Sequence, residues 1–165
     1  MSVYELNRSA LAARWPALAS SLPNPVGINP VSSASGAPTA RLPASDGASG
    51  AWLASRFDPR SEAARAAAAC LSTRADTVVL LGLGLGYLAE ALLAADPELR
   101  VLACEADSSI FAACLGVRDL SNLLADERLS LVVEGEPGAV ALALESLGTR
   151  EVAVASTPAL ADRYR

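Results

Sequence analysis

The sequence predicts an α/β protein of the Rossmann-like kind, with a parallel sheet in strand order near 3-2-1-4 and a helical, loop-rich N-terminal extension. Three observations predict it. Four short apolar runs, Thr77–Leu81, Arg100–Cys104, Leu129–Val133 and Glu151–Ala155, have strand length and composition. The segments between them carry helical patterns. Alternation of this kind implies βαβ units joined by right-handed crossovers. Finally, Gly82, Gly84 and Gly86 follow the first run directly and open the next helix. The expected division is an extension over 1–57 and an α/β domain over 58–165.

Each element has a local reason. Tyr4, Leu11, Trp15, Leu18 and Leu22 recur at spacings of seven, four, three and four, which puts them on one face of a helix over 2–22. Pro16 should kink or end it. From Pro23 to Gly50 the chain is rich in Pro, Gly, Ser and Ala and reads as a long loop with one short hairpin. Asp58 is a good N-cap, Pro59 suits the first helical position, and Glu62 in the first turn meets the positive end of the dipole. The Ala-rich run to Cys70 continues that helix. Thr77–Leu81 is continuously apolar, as expected of a strand buried on both faces. Tyr87–Ala95 is helical and stops at Asp96 and Pro97. Ser108–Leu115 and Asp119–Leu124 are short helices split by Gly116, and Gly138–Leu147 is a helix closed by Gly148.

Composition removes several function classes. The 165 residues suit one ordinary domain. Hydrophobic residues make up 52%, enough for a core, but aromatics only 4%, so Leu, Val and Ala must do most of the packing. A net charge of -5 argues against a nucleic-acid partner, which needs a basic face. With no histidine, a Ser-His-Asp triad and a His-ligated metal are excluded within the chain. No metal site is expected. Cys70, Cys104 and Cys114 lack C-x-x-C spacing and read as buried free thiols of a reducing compartment. Glu5, Arg8, Arg14 and Pro16 interrupt any signal-peptide core, and Val78–Ala95 contains three glycines and Glu90, so no membrane span is expected. The expectation is a soluble cytoplasmic protein.

The candidate site is built on the glycine turn. Glycine permits positive φ and close approach of the backbone to a ligand, and N–H groups opening the next helix would face that ligand. Glu105 ends the second strand, 23 residues beyond Gly82. That is near the ~20-residue offset at which an acid takes ribose hydroxyls. The alternative is a tight turn packed without ligand beside a solvated Glu. A dinucleotide fingerprint runs G-x-G-x-x-G, whereas here the third glycine comes one residue early and Tyr87 holds the sixth place. The G-x-G-x-G form resembles S-adenosylmethionine methyltransferases, with Glu105 as the ribose acid and Glu136 as the acid near adenine. Two positions depart from that pattern. Leu80 stands where those enzymes carry an acid before the first glycine, and the end of the fourth strand, Ala155 to Pro158, has no acid. Asp58 and Glu62 read as helix N-terminal residues rather than a catalytic dyad. Asp126, Glu127 and Arg128 read as a solvated turn, and Arg56, Arg60 and Arg65 as surface cations.

A wider resemblance follows from the order of these motifs. Ser55, Arg56, Phe57, Asp58, Pro59, Glu62, Ala63 and Arg65 resemble a segment of the motility-associated factor (Maf) glycosyltransferases that precedes a glycine turn like Gly82–Tyr87. Glu105, Asp107, Ile110 and Phe111 match a following segment. Asp119 through Leu131, the helix over Asn7–Leu18 and the ending Ser156–Tyr164 resemble others. Ala54 stands where that family has a His. The resemblance covers the family's N-terminal Rossmann-like domain and implies a downstream glycosyltransferase domain as partner. It also implies a role in adding nonulosonic acids to flagellin, with this chain as nucleotide-binding or scaffold domain. Gly82, Gly84, Gly86, Glu105 and Glu136 are then the candidate binding residues, for the nucleotide of a CMP-sugar or for S-adenosylmethionine. The alternatives are an S-adenosylmethionine-dependent methyltransferase and a non-catalytic interaction module that kept the fold without a ligand.

Overall fold

The computed structural model describes residues 1–42 and 50–156. In chain order the elements are α1 (Val3–Arg14), α2 (Pro16–Ser21), β1 (Pro30–Ser32), β2 (Pro38–Ala40), α3 (Pro59–Leu71), β3 (Thr77–Leu81), α4 (Tyr87–Ala95), β4 (Arg100–Glu105), α5 (Ser108–Cys114), α6 (Ser121–Ala125), β5 (Leu129–Val133), α7 (Pro137–Ser146) and β6 (Val152–Ser156). The four strands β3 to β6 form one parallel sheet in the order β5-β4-β3-β6, which is the predicted 3-2-1-4. Val79 sits beside Leu102 on one side and Val154 on the other.

Connection handedness sorts the helices. The chain steps from β3 to β4 to β5 in one direction, then returns past β3 to β6. Right-handed crossovers therefore put α4, α5 and α6 on one face and α7 on the other. The first face holds the main core. Val78, Leu80, Val101 and Ala103 meet Leu88, Leu92, Phe111, Leu115 and Leu124 there, all buried. Each such Leu or Phe removed from water contributes about 1.5–3 kcal/mol.

The N-terminal residues are built into this core. Ser2 caps α1 in a reciprocal box: the Glu5 N–H donates to Ser2 Oγ at 3.2 Å and the Ser2 N–H to the Glu5 carboxylate at 2.7 Å. Trp15 ends α1 and Pro16 opens α2, so the expected helix over 2–22 breaks where proline predicts. Its apolar face points inward, with Leu11 buried and Tyr4, Trp15, Leu18 and Leu22 packed against the main cluster. Asn7 is fully buried and ties α1 to the loop between α5 and α6. Its Nδ2 donates to the carbonyls of Leu115 (2.8 Å) and Arg118 (2.7 Å), and its Oδ1 accepts from the Leu120 N–H (2.7 Å). Arg14 donates to the carbonyls of Leu124, Asp126 and Leu129. The predicted loop contains one short antiparallel hairpin, β1 with β2; its residues 43–49 lie outside the described residues. Among the described residues no helix is long and apolar enough to cross a membrane.

The expected solvated turn at Asp126, Glu127 and Arg128 is corrected. Glu127 is exposed, but Arg128 binds Asp126 and donates to the carbonyls of Leu93 (2.9 Å) and Asp96 (3.1 Å), closing the C-terminal end of α4.

Candidate functional site

The glycine turn has the predicted backbone. Gly82, Gly84 and Gly86 all have positive φ, 84°, 54° and 76°, and Gly86 is the N-cap of α4. The surroundings of the turn supply a reason for glycine other than a ligand. A Cβ on Gly86 would stand 2.7 Å from Leu123 Cδ2 and 2.8 Å from Leu120 Cδ2. The Gly82 N–H already donates to the Cys104 carbonyl at 2.8 Å. Leu83, Leu85 and Tyr87, the side chains between and after the glycines, are all buried.

A second core cluster closes over the turn. Leu85 and Tyr87 pack with Ala37, Ala40, Leu42, Leu53 and Ala63, which come from the β1–β2 hairpin, the segment before α3 and α3 itself. The Tyr87 hydroxyl donates to the Pro38 carbonyl at 2.7 Å. Arg118 donates to the Leu85 carbonyl at 3.1 Å, pairs with Glu90, and stacks its guanidinium 4.1 Å from the centre of the Tyr87 ring. Burial pushes the Tyr87 phenol above its ordinary pKa, and the Arg118 charge offsets part of that rise.

Ligands of open α/β sheets bind at the carboxyl ends of strands, where the strand order reverses. Here that point lies between β3 and β6. The space there, lined by Leu53, Glu62, Ala63, Leu85, Gly86 and Ser156 among others, measures about 40 Å³. A few water molecules fill such a volume, whereas small-molecule sites run to roughly 300–1,000 Å³. A larger notch, about 190 Å³, opens on the α7 side beside Gly82, Glu105, Ala106, Val132, Gly135 and Val140. The structure thus brings Gly82 and Glu105 to one cavity. Gly86 lines the small space instead, Gly84 lines neither, and Glu136 is exposed at the N-cap of α7 and lines neither.

Glu105 is only 3% exposed. Side chains alternate along a strand, so Glu105 shares the face of Val101 and Ala103, opposite α7. Cys114 reports the same placement. Its thiol is pushed far up, by burial first and by the nearby Glu105 carboxylate second. Of the three predicted buried thiols Cys114 is fully buried, while Cys70 and Cys104 are half-buried. The acid beside the notch that sequence reasoning passed over is Glu134, at φ 53°, whose carboxylate accepts from the Ser108 N–H and hydroxyl.

Asp58 and Glu62 do the structural work predicted for them. Asp58 caps α3 by accepting from the N–H groups of Arg60 and Ser61, both at 3.1 Å, and Glu62 accepts from the Ser55 N–H at 3.0 Å. Arg56, Arg60 and Arg65 are exposed. Among the described residues no group of three His, Cys, Asp or Glu side chains is placed to hold a metal ion.

Comparison with known proteins places the fold. A Maf glycosyltransferase from Magnetospirillum magneticum AMB-1 superposes on 98% of this chain with a TM-score of 0.63 at 18% identity. At that identity the likeness is one of fold. MnmC2 from Aquifex aeolicus matches 74% of the chain at a TM-score of 0.37, too low to carry an argument. In sequence, 86 residues are 38% identical to an uncharacterized protein of Treponema pallidum (strain Nichols). No family model matches. The chain spans 30% of the Treponema protein and 33% of the Magnetospirillum one.

Proposed function

We propose that this chain acts as the N-terminal Rossmann-like scaffold domain of a Maf-like glycosyltransferase. Its partner is a downstream catalytic domain that transfers nonulosonic acids to flagellin. The observation that carries the scaffold role is the closed glycine turn. Leu85 and Tyr87 pack into the second core cluster over the turn, and Arg118 binds the Leu85 carbonyl and stacks on Tyr87, as suits a turn kept for packing. Support for the glycosyltransferase part comes from the superposition on a Maf enzyme along nearly the whole chain, together with the ordered motifs Trp52–Arg65, Gly82–Tyr87 and Glu105–Phe111.

Two measurements test this reading. Deleting the gene should leave flagellin lighter by the mass of its sugars, read by intact-protein mass spectrometry. Titration calorimetry of the purified chain with CMP and with S-adenosylhomocysteine should show no heat of binding to either. Unchanged flagellin mass would end the glycosylation role.

A second reading is favoured by one feature, the notch shared by Gly82 and Glu105. Its apolar lining suits a nucleobase. Saturable binding of either compound, lost when Val140→Trp fills the notch, would move the chain to the nucleotide-binding class.

A further inference from the structure

One edge of a sheet face is bare. α7 packs on β5 and β4, Thr77 and Val79 of β3 are buried, and β6 with the carboxyl end of β3 is left exposed on the α7 side. Val152 and Val154 point out from β6 at 45% and 64% exposure, and Leu81 from β3 at 47%. α7 is an apolar helix with no buried residue, and its Val140 lines the notch beside Leu81. Parallel sheets are normally covered by helices on both faces, so three large aliphatic side chains exposed on this one mark a face awaiting a neighbour.

The dimensions say what kind. Two strands about 4.8 Å apart present a strip one helix wide, since a helix with its side chains spans about 10 Å. The strip lies alongside α7, so a second helix laid there completes the layer. Charge narrows the choice further. Glu145 on α7 and Glu151 ahead of β6 are exposed, Arg150 beside Glu151 is an exposed cation next to them, and the chain carries -5 overall. A helix with Lys or Arg flanking its apolar stripe fits better than another copy of this acidic chain.

We infer that the strip formed by Leu81, Val152 and Val154 seats an amphipathic, basic-flanked helix of the glycosyltransferase domain. The inference rests on the proposed function. Its length argument is that this chain covers only 33% of the Maf enzyme it superposes on, leaving two thirds of such a protein to supply the helix.

The test expresses the glycosyltransferase domain encoded with this chain, in the same gene or beside it, as a separate polypeptide and titrates it into the 165-residue chain. Circular dichroism first establishes that each variant is folded. One-to-one binding is expected, weakened ~10-fold or more by Val154→Asp and by Val152→Asp, as for residues at the centre of an interface. Phe57→Asp, at an exposed aromatic before α3, should leave it unchanged. Binding that survives both face variants, equal loss in Phe57→Asp, or self-association of the wild-type chain through Val154 in light scattering overturns the proposal. The flagellin mass separates the two levels. If glycosylation requires the chain but the transferase domain does not bind the strip, the docking surface is wrong and the functional reading stands. If glycosylation survives deletion, both fall together.

Discussion

Replacing Gly86 with Ala distinguishes a turn kept for packing from a turn kept for a ligand. Two costs add in the folded state. At φ 76° a Cβ is held in the left-handed region, which costs about 1–2 kcal/mol. That Cβ also meets Leu123 Cδ2 at 2.7 Å and Leu120 Cδ2 at 2.8 Å, where something must shift. Both are the far ends of flexible side chains, so the overpacking cost falls in the lower part of the roughly 1–3 kcal/mol range. Gly86→Ala should therefore lose about 2–4 kcal/mol, a large share of the roughly 5–15 kcal/mol that holds an ordinary domain together. The assay is urea unfolding followed by circular dichroism, with the slope m compared to confirm that only the midpoint moves. Gly138→Ala is the control: a Cβ there meets nothing within 4 Å, so stability should hold or rise. A Gly86→Ala protein as stable as wild type would refute the packing account. The third glycine would then need a bound molecule to explain it.

Three other outcomes follow from the same geometry. Asn7→Ala strands the carbonyls of Leu115 and Arg118 and the N–H of Leu120 in a buried site, and should cost about 3–5 kcal/mol in urea unfolding; a loss below about 1 kcal/mol would mean water replaces the amide. Cys114 should resist iodoacetamide in the native protein at mildly alkaline pH while Cys70 and Cys104 label, because burial and the Glu105 charge hold its thiol protonated; mass spectrometry of tryptic peptides reads this, and equal labelling would place Cys114 outside the core. Arg128 holds the Asp126 carboxyl below the usual carboxylate range, chiefly through its side-chain hydrogen bond. A depressed folded pKa adds stability above the unfolded pKa of about 3.9 and loses it as pH falls through the folded value, so wild type should lose more stability than Asp126→Asn in that acid window. Parallel acid profiles would remove the pair from the stability balance.

The sheet was legible because its signals are local. Four apolar runs of strand length, set between helical patterns, leave few topologies once right-handed crossovers are required, and the observed order is among them. The α3 cap was legible for the same reason, since Asp58, Pro59 and Glu62 act within one turn. Asn7 was not. Its partners lie more than a hundred residues away, and a lone Asn on a helix carries no mark of them. Arg118 and Arg128 were opaque likewise: nothing local marks Arg118, and Arg128 reads as part of a solvated turn, until carbonyls distant in sequence are brought to them. Glu105 is the instructive case. Its place at a strand end was read correctly, yet the alternation of Val101, Ala103 and Glu105 against Leu102 and Cys104 already assigned it a face. That signal was available and weighs against a carboxylate waiting at the notch on the α7 side.

The glycines carry the wider point. Two physical demands select the same residue at a strand-to-helix turn: close approach of a ligand, and close approach of another part of the protein. Sequence spacing cannot separate them, because both need a missing Cβ and a positive φ. Packing can. At Gly86 the near atoms are leucine methyls, and above it Tyr87 is held by Pro38 and Arg118, so the demand is met from within the chain. A crevice closed in this way leaves the opposite face of the sheet as exposed apolar surface among the described residues, with Val154 the most exposed side chain of its strands. The free energy still available to this domain is therefore that of burying aliphatic area against a neighbour, which is non-directional and scales with area. Such a term suits assembly. Because it needs contact area and no oriented charge, it is tested by substitutions that change area, such as Val154→Asp, and is insensitive to salt.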